Sequence, residues 1–259
     1  MSKPAIVLVP GAWHKPQHYK KVLDRLLKLS YDAVGVSLAS VDAKPPTPSW
    51  EKDAAAVREV VLQKLNAGKD VIAVAHSYGG LPMGEGVKGL GKKVREAQGF
   101  KTSVTRLVYM CSVPVKEGQI FQDACKPVTE EEIKAAEMQF QAMKADEEGN
   151  LVPSNKELGK ERLYNRCDPK DVEEALELIG SHSIGTLITP ATWTPYKEIP
   201  STYIVTENDL ALLPSIQERL IAEGEGAFHV ERCQEGHSPF LSDPDFIVSC
   251  IRRAAGENI

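Results

Sequence analysis

Over 259 residues the chain sets 31 Lys and Arg against 36 Asp and Glu, a net charge near −5 with no basic block. That balance offers nucleic acid and anionic membranes nothing to hold, and the length suits a single α/β domain with an insertion, built around one core. The apolar run in "MSKPAIVLVPGAW" meets proline and glycine too soon for a signal h-region or a spanning helix, so a soluble, cytoplasmic protein is expected.

Short runs rich in Val and Ile predict buried strands at "AIVLV" (5–9), "AVGVSL" (33–38), "VIAVA" (71–75) and "TRLVYMC" (105–111), then at "TYIVT" (202–206) and "AFHVERC" (227–233). Helical patterns lie between the early strands: Tyr19, Val22, Leu23 and Leu26 keep one face, as do Ala54, Val57, Val61 and Leu65 after Ser49, the expected N-cap. Strand alternating with helix predicts an α/β fold with a mostly parallel six-stranded sheet flanked by helices, its core made of 1–112 and 201–259. The segment "GLGKKVREAQGFKTS" (89–103) reads as a solvated connection. Between the fourth and fifth predicted strands the rhythm breaks, and 113–200 is expected to form a helical cap, or lid, without strands. Inside it, Thr129 and Glu132 make a capping box, and Asp168-Pro169 opens a second amphipathic helix. The five cysteines, Cys111, Cys125, Cys167, Cys233 and Cys250, are odd in number and show no C-x-x-C, which suits reduced packing thiols.

Chemistry concentrates at the end of the third predicted strand. Ala75-His76-Ser77-Tyr78-Gly79 has the form small-x-Ser-x-Gly between strand and helix, the setting of a nucleophile elbow, with alanine in the place of the first glycine. The positions two before and two after such a serine must be nearly free of side chain so that strand and helix can approach, whereas His76 occupies a position any residue could fill. A serine hydroxyl needs a base within hydrogen-bond reach and a third group to orient that base. In this chain order the acid follows a late strand and the base follows the last one. Glu207 and Asp209 in "TENDLALLP" are both candidates for the acid, and His237 in "CQEGHSPFLSDPDF" is the base. The loop "LVPGAWH" after the first strand supplies, with the residue after the serine, two backbone N–H groups for an oxyanion hole: Ala12 and Tyr78. Trp13, Tyr78 and Phe240 stand beside these groups and are expected as pocket walls. His14 and His18 have the i, i+4 spacing of a metal pair but no third ligand nearby, so a structural or substrate-lining role is expected for His14. "GEGVKG" (84–89) matches G-x-G-x-x-G but falls inside a helical pattern and not directly after a strand, which argues against a dinucleotide site. No metal or organic cofactor is implied.

Taken together, "VLVPGAW", "AHSYGG", "TENDLALLP" and "GHSPFL" resemble cap-bearing α/β-hydrolases of the plant methyl esterase and hydroxynitrile lyase group. The resemblance implies the α/β-hydrolase fold and assigns the acid to Asp209, the second acidic residue of its motif. It is closer to the esterase branch: the lyases carry a lysine directly after the histidine and a threonine in the first loop, where this chain has Ser238 and Pro10-Gly11-Ala12. The expected protein is a serine hydrolase that cleaves a small or medium hydrophobic carboxylic ester or lactone. Two rivals stand beside it: the same triad used for acid–base chemistry, as in a lyase, a carbon–carbon hydrolase or a cyclase of secondary metabolism, and a ligand receptor with negligible turnover. The partner in each case is a small molecule, and the oligomeric state, monomer or homodimer, is left open.

Overall fold

The computed structural model describes residues 3–259, Phe140 by its backbone alone. The described residues form nine strands: β1 (Ala5–Val9), β2 (Asp32–Gly35), β3 (Val71–His76), β4 (Val104–Met110), β5 (Met143–Ala145), β6 (Asn150–Pro153), β7 (His182–Ser183), β8 (Ser201–Thr206) and β9 (Phe228–Cys233). Six of them form one parallel sheet in the order β2-β1-β3-β4-β8-β9. The α/β-hydrolase expectation of six parallel strands is met. The predicted runs overlap all six, the least accurate being β2, which ends three residues early.

Why these strands are apolar on both faces is visible in β1. Ala5, Val7 and Val9 point into one buried cluster, while Ile6 and Leu8 point into the other, as required of a parallel sheet covered by helices on both sides. The helix Glu51–Asn66 packs Ala54, Val57, Val61 and Leu65 on the first side. Helices Lys20–Lys28 and Pro244–Ala254 pack Val22, Leu26, Ile247 and Ile251 on the second. The helix Glu51–Asn66 takes Trp50 and not Ser49 as its N-cap residue, with the Ser49 hydroxyl accepting from the Glu51 N–H at 3.4 Å.

Two expectations need correction. The segment 89–103 is not a bare solvated connection, for Lys92–Ala97 is helical and Arg95 is buried, its guanidinium 3.8 Å from the centre of the Phe100 ring. The insertion 113–200 contains helices Glu130–Ala142, Lys156–Tyr164 and Pro169–Leu178, but also an antiparallel sheet, β5-β6-β7. Strands of two to four residues are too short to write an alternating pattern into the sequence.

Thr129 caps its helix as expected, its hydroxyl accepting from the Glu132 N–H at 3.2 Å. Glu132 does not close the box on Thr129. Its carboxylate accepts instead from the Val128 N–H (2.8 Å), the Ser215 hydroxyl (2.7 Å) and Arg219 (3.1 Å). Burial pushes the Glu132 pKa up, yet these donors outweigh it and hold the carboxyl below its usual range. The carboxylate thereby fastens the helix Glu130–Ala142 to the helix Pro214–Glu223 that follows β8. Among the described residues no helix is long and apolar enough to cross a membrane.

Candidate active site

The strands β1, β3, β8 and β9 end on one edge of the sheet, and the loops that follow them build the site. β3 ends at His76, and Ser77 follows with φ +50, in the left-handed region, as the first residue of a short 3₁₀ turn (Ser77–Gly79) that leads into the helix Gly80–Gly86. A non-glycine residue held there costs on the order of 1–3 kcal/mol. The Ser77 carbonyl offsets that cost by accepting from the Ser112 hydroxyl at 2.6 Å and from the Val113 N–H at 3.2 Å. Gly79 shows why the elbow needs small residues: a Cβ there would lie 2.5 Å from the carbonyl oxygens of both Val9 and Pro10. Gly79→Ala is therefore expected to cost about 1–3 kcal/mol or more by overpacking, lowering the melting temperature by roughly 3–10 °C. Gly159→Ala, with open space at its Cβ, should leave it unchanged or raise it. Thermal unfolding of the two variants side by side checks this.

Ser77, His237 and Asp209 lie in hydrogen-bond contact. The Ser77 hydroxyl is 3.0 Å from His237 Nε2, and His237 Nδ1 is 2.8 Å from Asp209 Oδ2. Asp209 is fully buried and accepts from four other donors: the Ala211 and Leu212 N–H groups at 2.8 Å, the Thr206 hydroxyl at 3.0 Å and Gln217 Nε2 at 3.3 Å. A carboxylate so surrounded is an acceptor only, so His237 Nδ1 carries the proton and Nε2 is left to accept from the serine. Glu207, the other candidate acid, pairs with Arg232 at 2.9 Å and stands apart from the histidine.

The β1 loop is fastened on every side. The His14 N–H donates to the Gly11 carbonyl (3.2 Å), closing a turn in which Trp13 adopts φ +65, and the Gly11 N–H donates to the Tyr19 hydroxyl (3.1 Å). The Ala12 N–H has no hydrogen-bond partner among the described residues. Trp13 reaches the insertion, donating its indole N–H to the Leu151 carbonyl at 3.1 Å. Tyr78 is buried, its hydroxyl donating to Asp53 at 2.8 Å.

Above Ser77 lies a cavity of about 360 Å³, lined by Ala12, Trp13, Tyr78 and His237 from the core and by Phe121, Ala135, Met143 and Leu187 from the insertion. Its wall is chiefly apolar, and its size suits a small to medium ligand. A larger cleft, of about 710 Å³, opens between the helices Lys20–Lys28 and Pro169–Leu178, but it is lined by Lys, Arg, Asp and Glu and touches neither Ser77 nor His237.

Three readings of the sequence change here. Phe240 is fully buried beside Tyr19 and His76 and does not line the cavity. Nor does His14, which takes the structural of its two expected roles, donating from Nδ1 to the Ala12 carbonyl at 2.7 Å and accepting at Nε2 from the Tyr164 hydroxyl at 2.9 Å. Adjacency in sequence placed both near the catalytic groups, but His14 sits in the turn after β1 and Phe240 in the short helix Pro239–Ser242, and both side chains pack against His76. His76 is not at an indifferent position: it is fully buried, with a partner on each ring nitrogen. The apolar residues of the insertion that form the roof were missed, because packing between distant segments leaves no local signal.

A parallel sheet carrying a strained serine, a buried carboxylate and a histidine in that chain order defines the α/β-hydrolase class of enzymes. The chain belongs to the alpha/beta hydrolase family, whose model matches residues 6–249. It is 42% identical over 259 residues to the alpha/beta hydrolase nvfD of Aspergillus novofumigatus, covering 100% of this chain and 99% of that one. Among solved structures it is similar in fold to the pyrethroid hydrolase PytH (TM-score 0.78, 19% identity, 98% of both chains). It is likewise similar to the methylesterase MES16 of Arabidopsis (TM-score 0.71, 18% identity, 98% of this chain and 99% of that one). The expected resemblance to the plant methylesterase group thus holds at the level of fold.

Proposed function

We propose that this enzyme hydrolyses a small or medium hydrophobic carboxylic ester or lactone through an acyl-enzyme. The carrying observation is the continuous hydrogen-bonded series Ser77–His237–Asp209 at the floor of a chiefly apolar cavity. Ser77 attacks the carbonyl carbon as its proton passes to His237 Nε2, and Asp209 stabilises the imidazolium through Nδ1–H. The N–H groups of Ala12 and Tyr78 hold the oxyanion. His237 then returns the proton to the departing alkoxide, and the same groups activate water to release the acid. For a lactone, both products leave as one hydroxy acid. The similarity in fold to the methylesterase MES16 supports the same reading.

The test is intact-mass measurement after treatment with a fluorophosphonate. One adduct is expected on the wild type, none on Ser77→Ala, and a much slower reaction on His237→Ala. A well-folded wild type that takes no adduct would sink the acyl-enzyme and favour acid–base chemistry or ligand binding.

A further inference from the structure

The chemistry above gives His76 nothing to do, yet both nitrogens of its buried ring are hydrogen-bonded. Its Nε2 lies 2.8 Å from the main-chain carbonyl oxygen of His237, and its Nδ1 lies 2.7 Å from the Tyr19 hydroxyl. A carbonyl can only accept, so Nε2 carries the proton. Burial, aided by the nearby His237 and His14, holds the His76 pKa well below its usual value, so the ring is neutral and Nδ1 is an acceptor. Tyr19 then donates its one proton to Nδ1, and its oxygen accepts from the Gly11 N–H at 3.1 Å. Every direction is fixed: Gly11 N–H to Tyr19, Tyr19 O–H to His76, His76 N–H to the His237 carbonyl. The series joins the loop bearing Ala12 to the backbone of the base through the residue that precedes Ser77. Gly11 leaves the room for it, since a Cβ there would stand 2.7 Å from His76 Nδ1.

The geometry points to His76 as a positioning residue that, through Tyr19, sets the distance between the oxyanion-binding loop and His237. A packing residue at this place would need only bulk. A neutral imidazole with two opposed partners instead fixes two catalytic elements with respect to each other, and displacements of about 1 Å between such elements cost on the order of 100-fold in rate. In its kinetic part the inference rests on the ester-hydrolase reading.

The experiment compares wild type with Tyr19→Phe, His76→Leu, His76→Gln and the double variant Tyr19→Phe/His76→Leu, reading kcat, KM and melting temperature on the best ester. Tyr19→Phe keeps the ring and loses only the link. His76→Leu is expected to lower kcat about 10- to 100-fold with KM within about twofold. Tyr19→Phe should lower kcat less, His76→Gln, which keeps an N–H for the His237 carbonyl, should recover part of the loss, and the double variant should be no worse than His76→Leu, since one link is cut twice. A Tyr19→Phe enzyme with wild-type kcat, or losses that multiply in the double variant, would overturn the assignment. If the wild type turns over no ester, the hydrolase reading fails by itself, and the relay is judged on the resting protein by the proton resonance of His237 Nδ1–H. That resonance should shift in both Tyr19→Phe and His76→Leu; if it stays in place in folded variants, the relay is refuted.

Discussion

Ser77→Ala is expected to lower turnover of the best ester by roughly 10⁴- to 10⁶-fold while the fold is retained, because nucleophile, base and acid act as one unit and the residual rate comes from binding and the oxyanion hole. Asp209→Asn should cost on the order of 10⁴-fold. An amide would donate towards His237 Nδ1, forcing the imidazole into the tautomer whose Nε2 carries a proton and cannot accept from Ser77. The same change would set an amide among the Ala211 and Leu212 N–H groups that now meet a charged oxygen. Glu207→Gln, two residues away, removes only a half-exposed pair with Arg232 and should leave kcat/KM within about twofold, exposed pairs contributing about 0–1 kcal/mol. Steady-state kinetics on the three variants decide it: an Asp209→Asn enzyme as active as Glu207→Gln would mean that the carboxylate does not orient the base.

The second large effect is on stability in acid. His14, His18, His76 and His182 are buried and neutral, each with a pKa lowered chiefly by desolvation, that of His182 to about 3. Unfolded, each would titrate near 6.5. Below that pH the unfolded chain binds protons that the folded chain refuses, so stability is full above about pH 6.5 and falls as the pH drops towards the folded values. Each such histidine contributes about 1.4 kcal/mol per pH unit. Asp53, buried with a raised pKa, takes its proton earlier in the folded state and works the other way, but one group opposes four. Carboxylates held low by lysines, such as Asp32 beside Lys64 and Lys69, add to the loss only below about pH 4. Since a domain is stable by about 5–15 kcal/mol, global unfolding is expected between roughly pH 6 and pH 4. Urea midpoints measured from pH 8 downward should fall steeply in that window. A flat profile to pH 4 would show that the histidines are not kept neutral.

Much of this molecule is legible in its sequence because the sheet and the elbow are written locally. Val and Ile runs mark strands buried on both faces, and Ser77 sits between Ala75 and Gly79 where the contacts of Gly79 with Val9 and Pro10 demand it. His237 and Asp209 follow from chain order and resemblance, and the structure places them in contact with each other and with Ser77. What escapes is whatever depends on which face a side chain takes or on contacts across the chain. His76, His14 and Phe240 lie within a few residues of the site in sequence, yet they engage Tyr19, Tyr164 and one another beneath it. Glu132 carries a helix-cap signature but spends its carboxylate on Ser215 and Arg219, more than 80 residues away.

β4 and β8 are direct neighbours, Leu107 paired with Ser201 and Met110 with Ile204, although residues 111–200 separate them. A parallel neighbour always requires the chain to travel back one strand length, so the whole insertion occupies the slot of a single crossover. Hydrogen bonding within the sheet is indifferent to how long that excursion is. The roof of the cavity can therefore be lengthened, shortened or reshaped without breaking a hydrogen bond of the sheet that carries Ser77.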